Sequence, residues 1–500
     1  MQASDFFSHA RRALFWSAGA KWFEALAATL GFLVMVRLVG PDHFGVFGLA
    51  LLTLILPETI VGGALSESLI QRDDLKPGHT AGAMWLQLVL SLVFAAGLVG
   101  AAPYIAASLH APELEGLVPL IAATLPIIAL SSIPVALLQR ELRFRAIAAV
   151  DVAAAVTAAV VGISLGVAGF GVWALGWMEA ARRVVRSIGF FAAARRGYDL
   201  RTSLQDIVDL ASFNLATLGA RVLSQAESAI PRLLLGLIDT RALGYFNLAQ
   251  RCFQQGSSLF IAPMNGAVLP LASRIQTQRE KLFAALDAAT SASTFIAYPV
   301  FFGAAAIAPV LIPLVLGPDW TGATLAVQLM LMLGVRAASA SFNGGVLRAA
   351  GRPGVQAAIV TAGFVVTIIL SPFAAPFGAA AIAGVLVMRG AVTWGLSAVL
   401  LERTIGYPAS RQFSLGWESM IAASIMAATV LATHAWLDAV MRGWILAPLL
   451  FMLGVVVHAL MLSILSPSTA RHFLQIAAAI VRRDGERLAV LLQPATAAKA

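Results

Sequence analysis

The chain has 500 residues, of which 59% are hydrophobic and only 12% charged, with a formal net charge of +9. Soluble domains carry about 25% charged residues, so this composition excludes an ordinary soluble enzyme. The single cysteine, Cys252, excludes an internal disulfide and any multi-thiolate metal site.

The apolar residues come in runs of about 20, the length at which a helix crosses a hydrocarbon core about 30 Å thick. Lipid offers backbone groups no hydrogen-bond partner, so each run must be helical. In chain order the predicted spans, about fourteen of them, fall near 14–37, 44–69, 81–108, 116–138, 146–167, 170–192, 208–236, 244–271, 289–316, 324–347, 355–375, 378–401, 417–438 and 444–466. The first is too long for a signal-peptide core and lacks a small-residue cleavage site, so it reads as a retained span. Pro57, Pro126, Pro134, Pro231, Pro263, Pro299, Pro309 and Pro313 fall inside spans and predict kinks or local unwinding there. From 469 the chain turns amphipathic, with Phe473, Leu474 and Ile476 set against Arg482, Arg483 and Arg487. That pattern predicts a cytoplasmic tail, 469–500, along the membrane surface.

Lys and Arg concentrate in alternate loops. One set holds Arg72 and Lys76, Arg140, Arg143 and Arg145, Arg195, Arg196 and Arg201, Arg274, Arg279 and Lys281, Arg348 and Arg352, and Arg403 and Arg411; the other holds little beyond Arg37, Arg241 and Arg442. The positive-inside rule then predicts cytoplasmic N- and C-termini. It also accounts for the net charge as a basic cytoplasmic face, with no nucleic-acid partner.

A repeat recurs at a separation of about 200 residues. Gly19, Ala20 and Lys21 match Gly219, Ala220 and Arg221. The stretch LVGPDHFGVFGLA at 38–50 aligns with LIDTRALGYFNLA at 237–249, and Phe170-Gly171 with Phe377-Gly378. Six spans per repeat keep both halves in the same orientation, with an axis along the membrane normal. The expectation is an all-α integral membrane protein. Its parts are a six-helix lobe at 1–200, a second at 201–405, two additional transmembrane helices at 406–468, and the tail.

Several stretches carry a resemblance: RLVGPDHFGVFGLA at 37–50, SLIQRDDL at 68–75, MWLQL at 84–88, LLQRELRFRA at 137–146, FGVWAL at 170–175 and LRAAGRP at 347–353. In order and spacing the chain resembles the polysaccharide transporter (Wzx-type) flippases of the multidrug/oligosaccharidyl-lipid/polysaccharide (MOP) superfamily. The resemblance implies a MATE-like fold in the bacterial inner membrane. It also implies a flippase that moves undecaprenyl-diphosphate-linked oligosaccharide units from the cytoplasmic to the periplasmic leaflet by alternating access. Such units feed O-antigen, capsule or exopolysaccharide synthesis, so polysaccharide polymerase and export machinery are implied partners. The superfamily also holds exporters of drugs or small metabolites, and fold alone does not choose between cargoes.

Charges inside spans each need a reason, because one at the bilayer centre costs about 2.5–3.5 kcal/mol. Lys21 and Arg221 occupy equivalent repeat positions, and Arg251 adds a cation where the first repeat has Leu52. Guanidinium and ammonium groups suit a lipid diphosphate, which makes Lys21, Arg221, Arg251 and Arg336 the candidate substrate-binding residues. Internal pairing of Lys21 with Glu24, and of Arg221 with Glu227, is the alternative reading. Glu24, Glu58 and Asp151 are candidate ion-coupling carboxylates or plain counter-ions. Arg182, Arg183 and Arg186 read as structural.

The sequence has no Walker-type phosphate loop, no H-E-x-x-H, no G-x-S-x-G and no zinc-ligand spacing, so no cofactor and no catalytic residue are expected. A membrane polymerase or ligase would need a large polar external loop. The longest predicted one, 104–118, is short.

Overall fold

The structure is a computed structural model, and it describes residues 3–63, 77–141, 143–194, 201–262, 264 and 278–467. The predicted tail at 469–500 and the basic loop residues Arg72, Lys76, Arg195, Arg196 and Arg274 lie outside the described residues. Among the described residues every regular element is helical. The chain divides into two compact units, Met1–Gly244 and Tyr245–Ala500.

In the first unit, α1 (Ala3–Glu58) carries the first two predicted spans end to end. Gly40 separates them, with φ 78° and ψ 169°, a backbone state open to glycine but not to side-chain-bearing residues. Pro41 follows, where a ring that cannot continue the preceding helix is well placed to open the next one. After α2 (Pro77–Ser108), the fourth predicted span is two helices, α3 (Leu114–Ala122) and α4 (Leu125–Arg140). The turn at Ala123 and Thr124, just ahead of Pro126, keeps helical backbone angles (φ −59°, ψ −19° and φ −83°, ψ −12°), so the kink predicted there is a bend within one continuing span.

Two helices, α5 (Phe144–Val167) and α6 (Val172–Ala194), then pack closely. Buried Ala154, Ala158 and Gly162 recur every four residues along α5, a small-residue stripe that lets backbones approach. A Cβ on Gly162 would lie 2.8 Å from the sulfur of Met178 in α6. The unit closes with α7 (Leu204–Ile238), and α8 (Thr240–Phe260) runs from its end into the second.

The second unit is organised on α9 (Arg279–Leu316), which stays helical through Pro299, Pro309 and Pro313. It continues through α10 (Thr324–Ala340), α11 (Asn343–Ala349), α12 (Pro353–Ala374) and α13 (Ala379–Ile405). A short α14 (Ala409–Ser414) leads to α15 (Trp417–Leu437) and α16 (Gly443–Leu465). These last two helices are fastened to α9: Ala306 and Val310 pack with Val430, Leu446, Ala447 and Leu450 in one buried cluster.

Ten helical stretches among the described residues are long and apolar enough to cross a bilayer. The predicted set is larger because α1 carries two spans, and because α6, α7 and α8 are helical yet too polar to qualify by composition. Those polar helices carry the charges that matter next.

Candidate functional site

Glu179, Arg182, Arg183 and Arg186 sit on α6 at spacings of three, four and seven, which brings them to one helix face. The Arg182 guanidinium donates to Glu179 through Nε at 2.8 Å and through Nη2 at 2.5 Å. Arg183 donates its Nε to the same carboxylate at 2.6 Å. Its Nη1 turns the other way, 2.7 Å from Glu58 at the end of α1 and 3.2 Å from the hydroxyl of Thr124. That hydroxyl donates its own proton to the Ile121 carbonyl at 2.6 Å, which leaves its oxygen to accept from Arg183. Arg186 pairs with Asp151 of α5 at 2.7 Å and lies over the Phe190 ring.

Three arginines thus meet three carboxylates. The Arg183 side chain is only 7% exposed, and an ion taken that far from water costs several kcal/mol unless opposite charge and hydrogen bonds compensate it. The network supplies both.

Glu58 has a second surface. It lines a cavity of about 390 Å³ together with Ile55, Thr59, Arg221, Ser224 and Gln225. Local sequence explains the wall. Pro57 has no N–H to give the carbonyl one turn back, and the helix loosens into a π turn, Thr59–Gly63. The Thr59 hydroxyl donates to the Ile55 carbonyl at 2.6 Å, which steadies that turn. The facing wall is α7, where Arg221, Gln225, Ser228 and Arg232 follow a helical stripe. With the Glu58 carboxylate paired to Arg183, the guanidinium, two hydroxyls and amide on the wall suit an oxygen-rich anion.

Of the residues picked from sequence, Arg221 and Glu58 share this cavity, and Glu58 and Asp151 are each bound to an arginine. Lys21 and Glu24 lie on α1, with side chains outside the described residues. Arg251 is exposed on α8, and Arg336 is partly buried on α10 with its Cδ beside Gly390; both belong to the second unit. Glu179 and Thr124 escaped the sequence reading. The signal for Glu179 was present, as a lone acid followed by arginines three and four places on, whereas Thr124 lies 59 positions from Arg183 and carries no such local signal.

The family profile described as polysaccharide biosynthesis protein matches residues 34–325. The chain is 25% identical over 293 residues to the succinoglycan biosynthesis transport protein ExoT of Rhizobium meliloti (strain 1021), covering 57% of this chain and 58% of that protein. It is 22% identical over 332 residues to the lipopolysaccharide biosynthesis protein WzxC of Escherichia coli (strain K12), covering 64% of this chain and 66% of that one. The chain therefore spans less than two thirds of the length of either relative in these matches. Among solved structures it is similar to the lipid II flippase MurJ in an inward closed conformation. The TM-score is 0.75 at 14% identity, covering 90% of this chain and 98% of that chain. An inward-facing multidrug resistance MATE family transporter of the MOP superfamily follows, at TM-score 0.55 and 15% identity, covering 80% and 95%. At such identities the likeness shows the fold alone. With a family match over more than half its length, this multi-pass membrane protein belongs to the polysaccharide biosynthesis protein family and has the fold of the MOP transporters.

Proposed function

We propose that the protein is an inner-membrane flippase, not an enzyme. Its cargo is an undecaprenyl-diphosphate-linked oligosaccharide unit, carried from the cytoplasmic to the periplasmic leaflet by alternating access. The observation that carries this reading is the cavity between the end of α1 and α7, where Arg221 and Glu58 stand with the Thr59 and Ser224 hydroxyls and the Gln225 amide. A diphosphate offers charge and several acceptor oxygens, which a guanidinium fork meets with paired hydrogen bonds. The names of the curated relatives, a succinoglycan transport protein and a lipopolysaccharide biosynthesis protein, point to the same class of cargo.

Within this proposal both termini face the cytoplasm, as the loop charges indicate. The repeats at 1–200 and 201–405 serve as the two alternating lobes, with 406–468 as an added pair. Lys21, Arg221, Arg251 and Arg336 are assigned to the headgroup, and Glu24, Glu58 and Asp151 to ion coupling or charge balance. A polymerase and an export apparatus are the partners that would consume the product.

Export of cationic drugs is the second reading, and Glu58 on the cavity wall is the observation that favours it. Deleting the gene separates the two. The flippase reading expects undecaprenyl-linked oligosaccharide to accumulate in the inner leaflet while polymer output falls. Normal polymer output with heightened drug sensitivity would overturn it.

A further inference from the structure

The cavity wall carries one cation and one anion, Arg221 and Glu58. An uncompensated carboxylate there would repel an anionic headgroup, because like charges a few ångströms apart in a partly enclosed site are poorly screened. Arg183 does not line the cavity. It reaches Glu58 from behind, at 2.7 Å, and its own side chain is almost wholly enclosed. It is held there by Glu179 at 2.6 Å and Thr124 at 3.2 Å. Glu179 is in turn gripped twice by Arg182.

We infer that Arg183 is a positioning residue that neutralises Glu58 and so sets the cavity's preference for anions. Arg183 never touches cargo. It removes the Glu58 carboxylate from the electrostatic balance that a headgroup meets on this wall. The Glu179–Arg182 pair supports this function by holding the Arg183 fork in one orientation, so that its outer edge faces Glu58. This inference rests on the proposed anionic cargo and names the residue that selects for it.

The test uses the full-length protein in lipid nanodiscs, titrated with undecaprenyl diphosphate, with thermal stability followed in parallel. Arg183→Gln is expected to weaken binding about tenfold, the size of one uncompensated charge partly screened. Arg183→Lys, which keeps the charge, recovers most of the affinity. The double variant Arg183→Gln with Glu58→Gln recovers it as well, although it lacks the arginine altogether. Were Arg183 merely structural, affinity would follow the melting temperature across these variants and not the charge left on the cavity wall. Glu58→Gln alone leaves the Arg183 charge in place and binds more tightly than wild type, which keeps the idea testable where Arg183→Gln does not fold. Unchanged binding in Arg183→Gln, or a double variant as weak as the single, overturns the inference. Failure of the wild-type protein to bind undecaprenyl diphosphate overturns the cargo reading instead.

Discussion

Asp42 and Arg241 hold equivalent places in the two sequence repeats and are bound to each other: Arg241 donates Nη2 to the Asp42 carboxylate at 2.8 Å and Nε to both its oxygens at 3.1 Å. The neighbouring glycines repeat the relationship. A Cβ on Gly45 would overlap the carbonyl oxygen of Thr240, and one on Gly244, its repeat equivalent, would overlap that of Pro41. Contacts exchanged reciprocally between matching positions are what a local two-fold relationship produces. Burial follows the same register, since Phe47 and Phe246, Leu49 and Leu248, and Ala50 and Ala249 are all buried.

If the repeats at 1–200 and 201–405 move as the two proposed lobes, the Asp42–Arg241 contact opens in each cycle. With Cys252 replaced by Ala, cysteines at 42 and 241 joined by a short cleavable thiol cross-linker are expected to stop transport, and cleavage to restore it. Flux measured in proteoliposomes before and after cleavage checks this; full flux while cross-linked contradicts it. The exposed ion pair itself is worth only about 0–1 kcal/mol, so thermal stability should hardly move when it is removed.

The glycines next to it are a different matter. Gly45→Ala and Gly244→Ala each place a methyl group against backbone carbonyl, and backbone cannot rotate away as a side chain can. Each substitution should destabilise the fold by about 3 kcal/mol, the upper part of the range for overpacking. Gly62→Ala, where nothing lies within 4 Å of the added carbon, is the comparison. Thermal unfolding in detergent measures the difference.

Arg221 is expected to behave as a ligand. Arg221→Ala should weaken undecaprenyl diphosphate binding by about tenfold to a hundredfold, the range for a charge-assisted bond lost from a partly enclosed site. Arg221→Lys should lie between the two, since an ammonium keeps the charge and loses the fork. Equal affinities across the three proteins would remove Arg221 from the site.

In the second unit a buried amide pair ties α11 to α14. Gln412 donates to the Asn343 carbonyl oxygen at 2.6 Å, and Asn343 returns a bond to Gln412 at 3.2 Å and another to Ser397 at 2.9 Å. Asn343→Ala strands the Gln412 amide, which is 1% exposed, at a cost of about 1–3 kcal/mol. Replacing both by Leu should cost less than the sum of the single changes, and a double-mutant cycle of unfolding free energies reads that coupling.

Tyr407, in the turn between α13 and α14, donates its hydroxyl to Asp287 at 2.6 Å, and the same carboxylate pairs with Arg411. Burial first, and then the Asp287 carboxylate, push the phenol above the ordinary tyrosine range. A raised value in the folded chain means that the neutral phenol is preferred there. Its contribution is therefore complete below the ordinary tyrosine value of about 10 and is lost as pH climbs past it. Tyr407→Phe should cost about 1.5–3 kcal/mol at neutral pH and flatten the alkaline fall in melting temperature. Melting curves from pH 8 upward test both parts.

Much of the architecture could be read from the chain. Runs of apolar residues long enough for a bilayer are helices there, since no other backbone state satisfies itself in lipid. The register of the repeat at 38–50 and 237–249 could be read because glycines, aromatic residues and leucines recur at matching places. Breaks were harder. Pro126 signalled a kink, but whether the helix bends or stops depends on what surrounds the freed carbonyls. Site residues were legible as a set of charges and not as pairs. For Arg183 the sequence shows neighbours four places away and cannot show Glu58, which lies 125 positions earlier.

The order of residues by itself determined that this is a helical membrane protein, because hydrophobic length is a local property of the chain. Only the tertiary structure decided which charges neutralise each other and which face a cavity. Coulomb interactions act through space across a few ångströms, and those distances are set by how helices far apart in sequence pack.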